Sequence, residues 1–73
     1  MRHAIEHIPV DRADTSEVRG TVTLVFSDRH RRRIRLHDDV GDAFLLDLPH
    51  AVRLADGDRL RLAEGGVIVV RAA

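Results

Sequence analysis

Three observations predict an all-β fold. Short runs of alternating apolar and polar residues recur along the 73-residue chain, glycine or Asp-Gly turns separate them, and no stretch keeps a 3.6-residue apolar period. The expected architecture is a small sandwich or partly open barrel of about six short strands, arranged as two small sheets, with at most a single helical turn. At this length the chain is one small domain, residues 1–73, near the lower limit for burying its own core.

The elements follow in order. His3 to Val10 alternates weakly, with Ile5 against His7, and reads as a first strand closed by Pro9, which cannot donate to a ladder. On a straight strand His3 and His7 share a face about 13 Å apart, too far to chelate one ion. Asp11 to Arg19 has no clear period and is a connector, with a brief turn possible at Thr15-Ser16-Glu17. Gly20 to Phe26 is a clearer strand: Val22, Leu24 and Phe26 share one face, and Thr21, Thr23 and Val25 the other. Ser27-Asp28 ends it, because either side chain can bond nearby backbone N–H groups and favour a turn or one helical loop.

Arg33 to His37 alternates again, with Ile34 and Leu36 inward. Asp38 to Asp42 is a turn in which Gly41 is free to take positive φ, and Ala43 to Leu48 is the returning strand of an antiparallel hairpin. Pro49 stops that strand, Val52 and Leu54 add core contacts, and Ala55-Asp56-Gly57-Asp58 is a tight turn. Leu60 and Leu62 alternate with arginines, Glu64-Gly65-Gly66 turns, and Val67 to Val70 is a strand apolar on both faces. The expected core is Val22, Leu24, Phe26, Ile34, Leu36, Phe44, Leu46, Leu48, Val52, Leu54, Leu60, Leu62, Ile68 and Val70.

The absence of cysteine removes disulfides and thiolate metal sites. Net charge is zero although 33% of residues are charged, which favours local patches over a global field for nucleic acid. No apolar run approaches the roughly 20 residues of a membrane span, and no secretory core follows Met1-Arg2-His3, so a cytoplasmic protein is expected. All twelve Lys-plus-Arg residues are arginines, and five of them fall between Arg29 and Arg35.

That basic segment supports two functions. A basic loop on a small β-barrel can bind single-stranded nucleic acid through Arg29, Arg31, Arg32, Arg33 and Arg35. Such binders add aromatic stacking platforms, and both Phe26 and Phe44 fall on faces assigned to the core, which argues against nucleic acid. The segment can instead form a protein-partner surface from Arg29, His30, Arg31, Arg32, Arg33 and Arg35, with outward Val25 and Leu45 adding apolar contact. A solvated face neutralised by Asp28, Asp38, Asp39 and Asp42 explains the same run without any function.

Catalysis and metal binding have less support. Ser16 and Ser27 lack an elbow motif, the carboxylates fall mostly at turns, and Asp56-Gly57-Asp58 reads as turn chemistry, so no enzyme is expected. His3, His7, His30, His37 and His50 form no ligand pair of recognisable spacing, and no metal or cofactor site is expected in this chain.

Several pieces occur in a recognisable order: Val22-Thr23-Leu24, Asp28-Arg29, Arg31 to Leu36, Asp38-Asp39 with Gly41, Phe44 to Pro49, Leu54 to Asp58, and Val69 to Ala73. In this order the chain resembles the N-terminal domain of UreE, the urease accessory protein family, from about Gly20 to the end. The resemblance implies a domain that engages protein partners, urease apoprotein and other urease accessory proteins, during nickel delivery and urease maturation. It also implies a fold similar to a peptide-binding domain of Hsp40-type chaperones. In the family the nickel ligand and the dimer contact belong to a second, ferredoxin-like domain, which would begin about where this chain ends, so this domain alone is expected to be monomeric. One departure is Pro49-His50-Ala51, where the family often has Pro-Arg-Gly or Pro-Arg-Ala. The resemblance favours the protein-partner reading of the arginine segment.

Overall fold

The computed structural model describes all 73 residues. Six strands form: β1 (Arg2–Ile8), β2 (Val18–Leu24), β3 (Arg33–His37), β4 (Ala43–Asp47), β5 (Arg59–Leu62) and β6 (Val67–Ala72). One 3-10 turn, Phe26–Arg29, is the only helical element. The strands make one sheet in the order β2-β6-β5-β1-β4-β3, curled as a half-barrel around its core. The partly open barrel is therefore the architecture adopted, and the two small sheets expected are joined into one, because β1 pairs with both β4 and β5.

Two of the five pairings are parallel, β1 with β4 and β2 with β6, and both join strands far apart in sequence. The β3–β4 hairpin has the expected register, Arg33 opposite Asp47 and Leu36 opposite Phe44. Its turn uses Gly41 at φ 96°.

Alternation places Val22 and Leu24, Leu36, Phe44 and Leu46, Leu60 and Leu62, and Ile68 and Val70 on the concave face. Leu48, Leu54 and Ala4 complete this cluster, with Ile34 and Val52 packed against it. One expected core residue is elsewhere: Phe26 is 67% exposed. β2 ends at Leu24, and the 3-10 turn rotates Phe26 out of the strand's alternation.

Strand β1 also departs from simple alternation. A bulge between Ala4 and Glu6 pairs Ala4 with Leu62 and His7 with Leu60, so His7 shares the face of Ala4 and opposes that of His3. The shared face expected for His3 and His7 is corrected by that one extra residue. Ile8 then lies beside Arg59, and Val67 beside Arg61, on the convex side, yet both are buried. The connector Asp11 to Glu17 is held over that side: Val67 N–H donates to the Glu17 carbonyl at 2.8 Å, and Arg59 Nη1 donates to the Asp14 carbonyl at 3.3 Å. Ser16 closes a local turn by donating from both N–H and hydroxyl to the Asp14 carboxylate.

Two buried carboxylates tie loops to the sheet. Asp58 accepts from His7 Nε2 at 2.8 Å, from Val10 N–H at 2.8 Å and from Ala55 N–H at 2.9 Å. Gly57, at φ 88°, makes this turn, and a Cβ there would fall 2.7 Å from a Val10 methyl. Asp38 accepts from Arg2 Nη2 at 2.9 Å and from the N–H groups of Val40 and Asp42. Its neighbour Asp39 reaches the other end of the sheet, donating its N–H to the Thr21 carbonyl and accepting from Thr21 Oγ1 and from Thr23 N–H and Oγ1. That clasp links edge strand β2 to the β3–β4 turn.

Candidate functional site

The basic segment divides where the 3-10 turn gives way to β3. Val25 precedes the turn in extended conformation and is 53% exposed. The turn closes through Asp28 N–H donating to the Val25 carbonyl at 3.0 Å, which faces Phe26 outward. The Arg29 carbonyl then accepts from Leu54 N–H at 2.7 Å. Through this bond the loop after β4 docks on the turn, and Arg53, next to buried Leu54, reaches the Phe26 ring.

The result is a surface depression of about 250 Å³ lined by Phe26, Ser27, Arg29, His30 and Arg53. The Arg29 guanidinium carbon lies 5.6 Å from the Phe26 ring centroid and that of Arg53 lies 5.5 Å from it. Both distances are within cation–π range. Arg29 Nε is buried and has no hydrogen-bond partner in the protein.

The other residues of the segment point elsewhere. Arg32 donates from Nη1 to the Leu48 carbonyl at 3.1 Å, while its own carbonyl accepts from Leu48 N–H at 2.9 Å. Arg33 and Arg35 are exposed on the convex face of edge strand β3, as the strand period requires. Half-buried Leu45 shares that face, flanked by Arg35 on β3 and His3 on β1. Exposed Arg31 makes no salt bridge or side-chain hydrogen bond. Arg29 and His30 therefore gather around Phe26, whereas Arg33, Arg35 and Leu45 form a separate strip along the sheet.

Sequence reasoning missed Phe26, Ser27 and Arg53 as parts of this site. The Ser27-Asp28 turn signal was the available clue, since a turn beginning one residue earlier takes Phe26 off the β2 face. Nothing local to Arg53 marks its position, which follows from the long-range bond between Leu54 and Arg29. The expectation that both phenylalanines are core is corrected for Phe26, which restores one exposed ring but no series of them.

Electrostatics set this end of the molecule apart. Arg2, Arg12, Arg19, Arg59 and Arg61 all form salt bridges, with Asp38, Glu6, Glu17, Asp14 and Glu6. None of the arginines from Arg29 to Arg35, nor Arg53, has a carboxylate partner within 4.0 Å. Two of the four carboxylates proposed from the sequence to neutralise the segment are committed elsewhere: Asp38 to Arg2, and Asp39 to Thr21 and Thr23. Burial opposes ionisation of Asp38, but hydrogen bonds from Arg2 and the Asp42 N–H outweigh it and hold the carboxyl below its ordinary range. The Thr21 hydroxyl has the largest part in the same effect at Asp39.

His7 is bonded to Asp58, and His3 Nδ1 lies 3.9 Å from Glu64. No three His, Asp or Glu side chains are grouped as a metal site requires. No helix is long and apolar enough to cross a membrane.

Residues 1–73 match the family model described as UreE urease accessory protein, N-terminal domain. The chain belongs to the UreE family. A urease accessory protein UreE from a Chelativorans species is 54% identical to it over 52 residues, 71% of this chain and 33% of the relative. The UreE of Sinorhizobium fredii is 48% identical over 65 residues, 89% of this chain and 38% of the relative. That of Rhodopseudomonas palustris is 53% identical over 53 residues, 73% of this chain and 25% of the relative. This UreE domain thus spans 25% to 38% of the length of these relatives.

Proposed function

We propose that this UreE domain is the partner-binding unit of a urease accessory protein, docking urease apoprotein or another accessory protein during urease maturation. Membership of an accessory-protein family supports a non-enzymatic role. The observation that carries the docking reading is the set of arginines without carboxylate partners around exposed Phe26, on a molecule whose other arginines are mostly paired. Uncommitted guanidiniums beside an exposed aromatic ring are the composition that protein interfaces favour.

In this reading nickel is cargo of the whole family protein and is held outside residues 1–73, so the domain contributes recognition rather than a metal site. The domain acts in the cytoplasm as a monomeric module. Immobilised chain should retain urease apoprotein or an accessory protein at low salt and release it as salt rises, because the contacts are charged. Calorimetric nickel titration should show no stoichiometric site. Failure to retain any of these proteins, together with oligonucleotide binding of steep salt dependence, would replace this reading with a nucleic-acid one.

A further inference from the structure

We propose that the depression between Arg29 and Arg53 is an anchor site for a carboxylate side chain of an acidic, apolar-flanked protein segment, with Phe26 as its apolar floor. The proposal rests on the docking reading above and specifies the chemistry of the partner.

Geometry, charge and size together carry it. The two guanidiniums come from segments 24 residues apart in sequence, yet both lie within 5.6 Å of the Phe26 centroid. Ring contact favours a fixed plane for each guanidinium, and a fixed plane suits two-point bonding to a carboxylate. Neither arginine has a carboxylate partner, and Arg29 Nε lacks any acceptor. An incoming anion therefore displaces no internal ion pair.

Ser27 and His30 line the same depression and offer a hydroxyl and an imidazole as further polar contacts. The volume, about 250 Å³, falls below the roughly 300–1,000 Å³ typical of sites that enclose a small molecule. It suits one side chain of a longer partner. Exposed Val25 adjoins Phe26 in sequence and extends the apolar surface on which flanking residues of that partner rest.

A nucleic-acid strand is the weaker occupant. Strand binders combine a basic groove with successive stacking rings, and here a single ring is exposed. An acidic peptide needs only one ring and a local cluster of positive charge.

The test is fluorescence anisotropy on the 73-residue chain with three labelled probes: a peptide alternating Glu and Leu, the same peptide with Gln for Glu, and oligothymidylate. The acidic peptide should bind at least about tenfold more tightly than its Gln counterpart, the size expected when about 1.4 kcal/mol of charge-assisted contact is lost. Arg29→Gln and Arg53→Gln should each weaken it several-fold, and the double variant about tenfold or more. Arg12→Gln, which alters an exposed paired arginine, should leave it unchanged.

Wild-type affinity in the double variant overturns the proposal, as does tighter binding of oligothymidylate than of the acidic peptide. In the unsubstituted chain the Phe26 ring resonances should shift on peptide titration, and peptide binding without that shift also overturns it. Retention of urease-assembly proteins separates the two levels. Equal retention by wild type and the double variant removes the anchor site but leaves docking intact. No retention by wild type removes the docking reading, and with it the assignment of this partner.

Discussion

Two regions of this molecule treat the same residue type in opposite ways. Near β1 and β5, arginines are internal connectors: Arg61 bonds Glu6 at 2.6 Å, Arg2 bonds buried Asp38 at 2.9 Å, and Arg59 holds the Asp14 carbonyl. Around the 3-10 turn and β3, Arg29, Arg31, Arg33, Arg35 and Arg53 have no such partners. Net charge is zero overall, so the contrast lies in where the charges are placed and not in their number. The first region holds the fold together and the second is left free to meet something else.

The comparison breaks most sharply at the buried carboxylates. Asp58→Ala strands the donors of His7, Val10 and Ala55 in a buried site and should cost about 3 kcal/mol. In a domain this small that is a large part of total stability, visible as a lower urea midpoint. A midpoint close to wild type would mean that the paired region does not stabilise the fold as described.

Acid should dismantle the same region. Asp58 and Asp38 titrate below the ordinary carboxylate range although burial opposes their ionisation, because N–H donors, His7 and Arg2 favour the charged form. Their folded-state values lie below the unfolded ones, so the unfolded chain takes up protons first as pH falls. The stabilisation is complete above about pH 5 and is lost as pH drops below about 4 and through the lowered folded values. Thermal melts from pH 7 to pH 2 should show that decline, and Asp58→Asn should flatten part of it.

Surface arginines sharpen the contrast on a smaller scale. Arg61→Gln removes a half-exposed pair and should lower stability by about 0.5 kcal/mol. Arg31→Glu, in the unpaired group, should leave it unchanged or raise it by about 0.3 kcal/mol, because like charges are relieved. Phe26→Ser should stay within about 0.5 kcal/mol of wild type, since the ring lies outside the core. Denaturant midpoints of the three variants rank these outcomes, and a large loss in Phe26→Ser would return that ring to a structural role.

The β3–β4 hairpin was legible because its alternation, its Gly41 turn and its short connection are all local signals. The candidate site was only half legible. Arg29 and His30 announce themselves by composition, but the outward turn of Phe26 depends on where β2 ends, and Arg53 arrives through the Leu54–Arg29 bond. In β1 the bulge after Ala4 changes which side chains share a face, and no residue type in His3 to Ile8 marks it.

By itself, the sequence determined the all-β class, the turns at Gly41 and Gly57, and most of the apolar face. These follow from side-chain period and backbone freedom, which act over a few residues. The tertiary structure decided the parallel pairings of β1 with β4 and β2 with β6, the burial of Ile8 and Val67 beneath the connector, and the sorting of arginines into paired and free. These depend on which distant groups meet when the sheet curls, and local propensity carries no record of that.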